Sequence, residues 1–409
     1  MLDKTLAIIL AGGVGSRLHP LTQNRAKPSV PFGGIYRIID FTLSNCLHSG
    51  LRRIMVLTQY KSHSLNKHLR DGWSIFNPEI GEFITAIPAQ MQMGDEWYAG
   101  TADAIYQNRY LLERNDAEYI LILAGDHIYR MDYAQMLNEH IDRKRDVTIA
   151  AMPVPAGLAK SFGVIVADTD HRVQNFIEKD LSPPAIPGDP KHVLASMGIY
   201  IFNISVLLKV LEQDHMESQS GHDFGKNILP HMVGAQANVG TYFFGMNGGR
   251  VTQDRYWRDV GTLDAYYEAN MDLLKPVPLI DLYQEDWLIR TYHGQYPSAR
   301  MVPSSTGEVG RVENASLAGG DLVIGARVIH SILSHDIRVE SGARVETSIL
   351  FDRVRVGSGT HIRKSIIDKD VYIPPGTSIG WDEALDKKRF TVSEKGIVVV
   401  PKGYVFPGP

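Results

Sequence analysis

Leu10–Val30 reads LAGGVGSRLHPLTQNRAKPSV and follows directly on the apolar run Leu6-Ala-Ile-Ile-Leu10. An unbroken apolar run closed by a glycine cluster has the pattern of a parallel strand buried on both faces. Gly12, Gly13 and Gly15 then let the chain turn sharply and bring backbone N–H groups close to a bound anion. Arg17 adds a rigid fork of donors beside that turn, and Lys27 adds a point charge ten residues later. A phosphate chain fits this arrangement. The spacing is neither that of GxxxxGK followed by Ser or Thr nor that of GxGxxG, so it licenses neither a P-loop nor a dinucleotide fold.

Between Met1 and about Pro278 the pattern alternates strands with helices. Ile54–Thr58, Tyr119–Ala124 and Asp146–Ala150 read as strands, whereas Asn66–Arg70, Ala102–Arg114 and Tyr133–Arg143 read as helical. Such alternation predicts an α/β domain over residues 1–278 with a mostly parallel central sheet. Shorter runs at Phe162–Val166, Val173–Glu178 and Ser196–Phe202 predict antiparallel or mixed pairing beside it. A linker is expected over residues 279–304, with a second domain and a C-terminal segment over 305–409.

The second domain carries a repeat of 17 residues. Leu322/Gly325/Val328 recurs as Val339/Gly342/Val345, Val356/Gly359/Ile362 and Ile373/Gly376/Ile379. Ser331–Leu333, Ser348–Leu350 and Ser365–Ile367 recur in the same phase, as do Ile337, Val354 and Val371. One apolar residue per short strand, stacked above its equivalent in the next turn, builds the continuous core of a parallel β-helix.

Lys and Arg total 42 against 46 Asp and Glu, a net charge of −4, so no global positive field points to nucleic acid. Cys46 is the single cysteine, which excludes an internal disulfide framework and a cysteine-based zinc cluster and suits a reducing, cytoplasmic compartment. Leu6–Leu10 is too short to span a bilayer, and Asp3 and Lys4 before it do not make a basic leader. No membrane association is expected.

Nucleotide chemistry also needs carboxylates. Asp126 in Ala124-Gly-Asp-His-Ile-Tyr129 follows an apolar strand at the carboxyl end, where α/β sheets collect ligands and where a hard oxygen donor suits magnesium. Asp259 in Tyr256-Trp-Arg-Asp-Val-Gly-Thr262 is the second candidate for Mg2+. His127 lacks partners at zinc spacing and is expected to be a hydrogen-bonded structural histidine. Gln90 offers an amide able to read a base edge, and Tyr98, Gly100 and Thr101 couple aromatic surface to a helix entrance. Glu178 and Lys179 at a strand end suit sugar hydroxyls and a phosphate, while Gly163, Ser196 and Asp223 add further sugar-sized contacts.

Taken in order, LAGGxGxRL with Arg25-Ala-Lys-Pro28, FGG-YRIIDF-LSNC from Phe32 to Cys46, AGTAD at Ala99–Asp103, LAGDHIY at Leu123–Tyr129, ASMGIY at Ala195–Tyr200, HDFGK at His222–Lys226 and YWRDVGT at Tyr256–Thr262 resemble the bacterial glucose-1-phosphate adenylyltransferases along almost the whole chain. The resemblance implies an α/β nucleotidyltransferase domain followed by a left-handed parallel β-helix, assembled as a homotetramer. It implies ATP and α-D-glucose 1-phosphate as substrates, ADP-glucose and pyrophosphate as products, magnesium as cofactor, and control by metabolite effectors. By position it assigns Arg17 and Lys27 to the ATP phosphates, Asp126 and Asp259 to magnesium, and Gln90 and Gly100 to adenine. Lys179 falls to the sugar phosphate, with Tyr98, Gly163, Glu178, Ser196 and Asp223 at the sugar end.

The departures bear on regulation. Val14 stands where many bacterial relatives have arginine, Ile35 where enteric relatives have an activator-binding lysine, and Asp180 where proline is common. The stretch Phe243–Tyr256 is compact. Arg37, Arg52 and Arg53 are the cations available for an altered anion pocket. Two readings remain open beside the resemblance: a related transferase using UTP or dTTP, and a non-catalytic regulatory subunit. A hexapeptide-repeat acyltransferase would explain the solenoid alone.

Overall fold

A computed structural model describes residues 1–90, 97–180, 183–245, 251 and 255–407. The predicted first strand is Thr5–Leu10 (β1), followed by Arg53–Thr58 (β2), Phe83–Pro88 (β3), Tyr119–Ala124 (β4), Val147–Pro155 (β5), Gly163–Ala167 (β6), Val173–Glu178 (β7), His192–Asn203 (β8) and Val239–Phe243 (β9). Among the described residues these form one sheet in the order β7-β6-β8-β4-β1-β2-β3, with β5 paired to β8 and β9 to β5. Strands β4, β1, β2 and β3 are parallel, as their apolar runs require. The shorter strands join through β8, which is antiparallel to β4, β5 and β6, so the mixed pairing is also as expected.

Alternate residues of β1 enter different cores. Leu6 and Ile8 pack on one face with Ala102, Ile105, Leu207 and Leu211, whereas Ala7 and Ile9 pack on the other with Ile39, Leu43 and Leu65. The first face is covered by helices Thr101–Tyr106 and Ile204–Met216, the second by Ile38–His48 and His63–Trp73. Helix Ile38–His48 had no amphipathic signal because it is buried on nearly every side. Its Asp40 is fully buried and accepts from Arg37 N, Trp73 Nε1 and the His68 ring. The expected single helix Ala102–Arg114 is two, Thr101–Tyr106 and Arg109–Arg114. Asn108 breaks it: its side chain donates to Ala104 O at 2.8 Å, taking the carbonyl its own backbone N–H would have used.

Beyond Pro297 the chain winds into three sheets of parallel strands, one of which ends in the antiparallel strand Thr391–Val392. Ile332, Ile349 and Ile366 stack in register, as do Val328, Val345, Ile362 and Ile379. One register differs from the repeat read in the sequence: Leu322 lies opposite Arg338, and fully buried Val323 stacks on Val339. Side chains alternate across the strand, so the inward position falls one residue later in this coil. The recurring serines form a buried ladder, with Ser348 N donating to Ser331 Oγ at 3.1 Å and Ser365 N to Ser348 Oγ at 3.2 Å. Val398–Val400 returns from outside the repeat to pair with Ser365–Ile367.

The solenoid shares a core with the sheet domain. Phe32, Phe41 and Tyr266 pack in one cluster with Ile332, Ile349, Phe351, Ile366 and Val399. Arg25 and Asp368, only 5% and 1% exposed, form an ion pair across the seam at 2.9 Å. No helix of the described residues is long and apolar enough to cross a membrane.

Candidate active site

The loop after β1 opens one wall of a cavity of about 660 Å³ at the carboxyl ends of the parallel strands. Gly12, Gly13, Gly15 and Arg17 line it. Gly15 sits at φ 63°, and a Cβ there would lie 3.1 Å from both Lys27 Cβ and Thr22 Cγ2, so glycine is required on two grounds. Thr22 Oγ1 pins the turn by donating to Gly15 O at 2.9 Å. Buried Leu18 anchors the short helical turn Ser16–Leu18, which leaves Arg17 exposed at the cavity.

Asp126 and Asp259 meet through backbone pairing. His127–Tyr129 and Trp257–Asp259 are antiparallel with Asp259 opposite His127, which puts the two carboxylates beside each other. Lys27 Nζ lies between them, 2.8 Å from Asp126 Oδ2 and 3.1 Å from Asp259 Oδ1. Burial alone would lower the Lys27 pKa, but the two carboxylates outweigh it and hold it above the usual lysine value. Burial likewise opposes ionisation of Asp126; Lys27, His127 and Arg17 overcome it and hold the carboxyl well below the usual range. Lys27 and Asp126 therefore both stay charged through neutral pH.

His127 differs from expectation. Its ring packs edge-on against Trp257 at 4.9 Å, its Nδ1 is buried without a hydrogen-bond partner, and its Nε2 is 3.6 Å from Asp126 Oδ1. Asp126, His127 and Asp259 each offer a ligand atom within 4.8 Å of the others. Sequence spacing missed this because the third member arrives through strand pairing. Two carboxylate oxygens are hard donors that fit a divalent cation, and the His127 imidazole stands beside them.

Tyr98, Gly100, Thr101, Glu178, Asp223 and Gly225 also line the cavity. Asn108 Nδ2 donates to Tyr98 Oη at 2.9 Å. Asp223 Oδ1 accepts from Gly225 N and Lys226 N, capping the turn Phe224–Ile228. Gly163 pairs directly with Glu178, and a Cβ on it would lie 2.5 Å from the Phe176 ring and 2.7 Å from Glu178 Oε2, so its smallness makes room for both side chains. Lys179 does not line the cavity but follows Glu178, its Nζ 3.0 Å from Glu178 Oε1 and its side chain 56% exposed. The structure does not bring every candidate to the wall. Ser196 is buried behind it, accepting from Gly198 N at 3.3 Å, where β8 changes register. Gln90 is exposed and its Oε1 accepts from Tyr110 Oη at 3.1 Å.

Gln59, Gly198 and Tyr200 line the cavity without having been singled out. Gln59 follows β2 directly, and its place at the carboxyl end of a parallel strand was the signal available. Arg37 donates to Ser29 O and Ser64, Arg52 to Leu47 O and Leu51 O, and Arg53 to Asp116 O. Each of the three arginines thus donates to the scaffold around it. Of the compact stretch Phe243–Tyr256, residues 246–250 and 252–254 lie outside the described residues.

The sheet carries cations and paired acids at the carboxyl edge of its parallel strands, and residues 6–276 match the family described as Nucleotidyl transferase. Residues 297–400 match the GlmU-like, C-terminal hexapeptide family. The chain is 58% identical over 405 residues to glucose-1-phosphate adenylyltransferase 2 of Vibrio cholerae, covering 99% of each chain. It is 59% identical over 401 residues to the corresponding protein of Vibrio vulnificus strain CMCP6, covering 98% of this chain and 99% of that one. With glucose-1-phosphate adenylyltransferase of Yersinia pseudotuberculosis strain YPIII it shares 47% identity over 405 residues, 98% of this chain and 94% of the relative. The chain belongs to the glucose-1-phosphate adenylyltransferase family and is an enzyme of the nucleotidyltransferase class.

Proposed function

We propose that this enzyme transfers the adenylyl group of ATP to α-D-glucose 1-phosphate, releasing pyrophosphate and forming ADP-glucose as glucosyl donor for an α-glucan. The observation that carries the reading is one cavity lined by Arg17, Lys27 and Asp126 together with Glu178 and Asp223. It joins a phosphate-handling centre to a sugar-sized polar site. The sugar phosphate already carries an anionic oxygen, so direct in-line attack on the α-phosphorus needs no side-chain nucleophile. Arg17 and Lys27 stabilise charge on the transferring group and on the departing pyrophosphate. Asp126 and Asp259 are the magnesium ligands, and His127 stands beside them. Bound magnesium supplies charge neutralisation of the triphosphate and polarisation of the α-phosphate. Before substrate arrives, the acids hold Lys27 charged and oriented toward the loop.

Lys179, released from Glu178, orients the sugar phosphate, while Glu178 and Asp223 accept from sugar hydroxyls and Tyr98 covers the ring. Gly12, Gly13 and Gly15 present backbone donors to ATP, and Gly100 and Gln90 are assigned to the adenine side. Gly163 and Ser196 act behind the wall, by making room for Glu178 and by shaping the β8 turn. The division into a catalytic unit over 1–278, a linker over 279–304 and a left-handed β-helix unit over 305–409 is part of the proposal. So are a homotetramer, metabolite effectors and a cytoplasmic setting.

The test is pyrophosphate release with magnesium, glucose 1-phosphate and each of ATP, UTP and dTTP in turn. ATP is expected to dominate. Strong turnover with UTP or dTTP and weak turnover with ATP would reject the adenylyl assignment, and assembled protein releasing no pyrophosphate would mark a regulatory subunit.

A further inference from the structure

Two segments that contribute to the cavity lining are hydrogen-bonded to each other. In the first, Gly100 and Thr101 open the helix Thr101–Tyr106; in the second, His222 and Asp223 open the turn Phe224–Ile228. Ala102 N donates to His222 O at 2.8 Å, Phe224 N donates to Thr101 Oγ1 at 3.1 Å, and Thr101 Oγ1 donates to Asp223 Oδ2 at 3.2 Å. The approach is so close that a Cβ on Gly100 would lie 2.2 Å from His222 O. His222 is in the left-handed region, φ 50°, a conformation uncommon for a residue with a side chain.

The group that holds its ring is Asp214, near the end of the helix Ile204–Met216. Its Oδ2 accepts from His222 Nδ1 at 2.7 Å and its Oδ1 from Ser220 Oγ at 2.6 Å. Ser220 Oγ in turn accepts from His222 N at 3.0 Å. One carboxylate thus fixes the ring and, through a serine, the backbone of the same residue. Asp214 is 11% exposed and His222 20%, so solvent competes weakly for these bonds. The neighbouring His215 stacks on Tyr106 at 4.2 Å and ties the other end of Thr101–Tyr106 to the same helix.

We infer that Asp214, Ser220 and His222 form a clasp that sets the separation between the nucleotide wall at Gly100–Thr101 and the sugar wall at Asp223–Gly225. His222 is a positioning residue: it touches neither reacting atoms nor metal ligands, and it acts through its carbonyl on Ala102 N and through the placement of Asp223. The clasp couples affinity for the two substrates, because neither wall can shift without the other. This inference rests on the functional reading above for the names of the two ends.

His222→Ala removes the ring and strains the left-handed backbone, so the KM values for ATP and glucose 1-phosphate should rise together, each by about tenfold, with kcat changed by less than about threefold. His222→Asn keeps an N–H donor and a side chain that tolerates φ > 0, and should restore both KM values to within about threefold of the parent. Asp214→Asn should reproduce the His222→Ala defect, and the double variant His222→Ala/Asp214→Asn should be no worse than either single one. Parent enzyme inactive with these substrates refutes the functional reading; active parent with a His222→Ala variant whose KM values are unchanged, or in which only one rises, refutes the clasp. A loss of thermal stability without the paired KM shift would also overturn it. Should His222→Ala not fold, Ser220→Ala decides the matter in the same assay: paired KM increases uphold the clasp and unchanged KM values overturn it.

Discussion

Replacing Lys27 with methionine keeps the side-chain stem and removes the ammonium shared by Asp126 and Asp259 at 2.8 and 3.1 Å. At an effective dielectric of about 20, unit charges about 4 Å apart interact by about 4 kcal/mol, so two such attractions amount to about 8 kcal/mol gross. Most of that does not reach the net stability. Lys27, 8% exposed, regains its desolvation cost when the charge is deleted, and the acids, 34% and 23% exposed, are screened by water. The expected net loss without metal is about 2 kcal/mol, a fall of a few degrees in Tm. The sign with pH follows from the depressed Asp126 pKa. Its stabilising contribution is full above the unfolded carboxyl value of about 4 and is lost as pH falls through the lower folded value. The gap between parent and Lys27→Met is therefore widest near neutral pH and closes in acid. Two acids without their ammonium also attract magnesium more strongly, so the Tm rise on adding magnesium should be larger in the variant than in the parent. Pyrophosphate release should fall by about a hundredfold or more, since a charge aimed at the phosphates is gone. Thermal unfolding with and without magnesium, at pH 7 and in acid, reads all of this but the rate. A variant as stable as the parent in chelator, with no larger magnesium response, would refute the reasoning.

Lys179→Ala should raise the KM for glucose 1-phosphate by about tenfold to a hundredfold, the size of one charge-assisted contact, with the ATP dependence nearly unchanged; an equal change in both would place Lys179 elsewhere. Asp368→Asn leaves Arg25 buried at the seam without its counter-charge, and chemical denaturation should show a loss of about 3 kcal/mol, whereas an unmoved midpoint would show the pair to be energetically idle. Burial pushes the Asp321 carboxyl up to about 7 despite the N–H bonds it accepts from Ile337 and Ala318. Its folded value exceeds the unfolded one, so its contribution is full below about pH 4 and is lost as pH rises to about 7. Tm measured from pH 5 to pH 8 should fall more steeply in the parent than in Asp321→Asn, and parallel curves would disprove the shift. Truncation before Ser304 should do more than disturb assembly, because Phe32, Phe41 and Tyr266 lose the apolar partners they share with the solenoid; a truncated chain that stays soluble and thermally unchanged would show that core to be dispensable.

Features of short range were legible in the residues themselves. The strand β1, its glycine turn and the placement of Arg17 and Lys27 depend on neighbours within about twenty positions of the chain, where backbone geometry and hydrophobic period act directly. The coil repeat was equally plain, because each turn of a solenoid buries the same positions as the last. The one slip, Leu322 for Val323, came from reading spacing where side-chain alternation decides which residue faces inward.

Other features became visible only when distant segments met. Asp126 and Asp259 become a pair through the antiparallel register of His127–Tyr129 with Trp257–Asp259, which no spacing in the chain encodes. That pairing also brings His127 in as a third donor. Gln90 and Ser196 sit in motifs that point to the cavity, yet hydrogen bonding to Tyr110 and the bend of β8 keep them off its wall. Asp214 carries no motif, and its hold on His222 arises because a helix end and a loop converge. The residue types and their local order were therefore determined by the sequence alone. Which side chains face one another across the cavity was decided by strand register and helix packing, whose energies come from contacts between residues far apart in the chain.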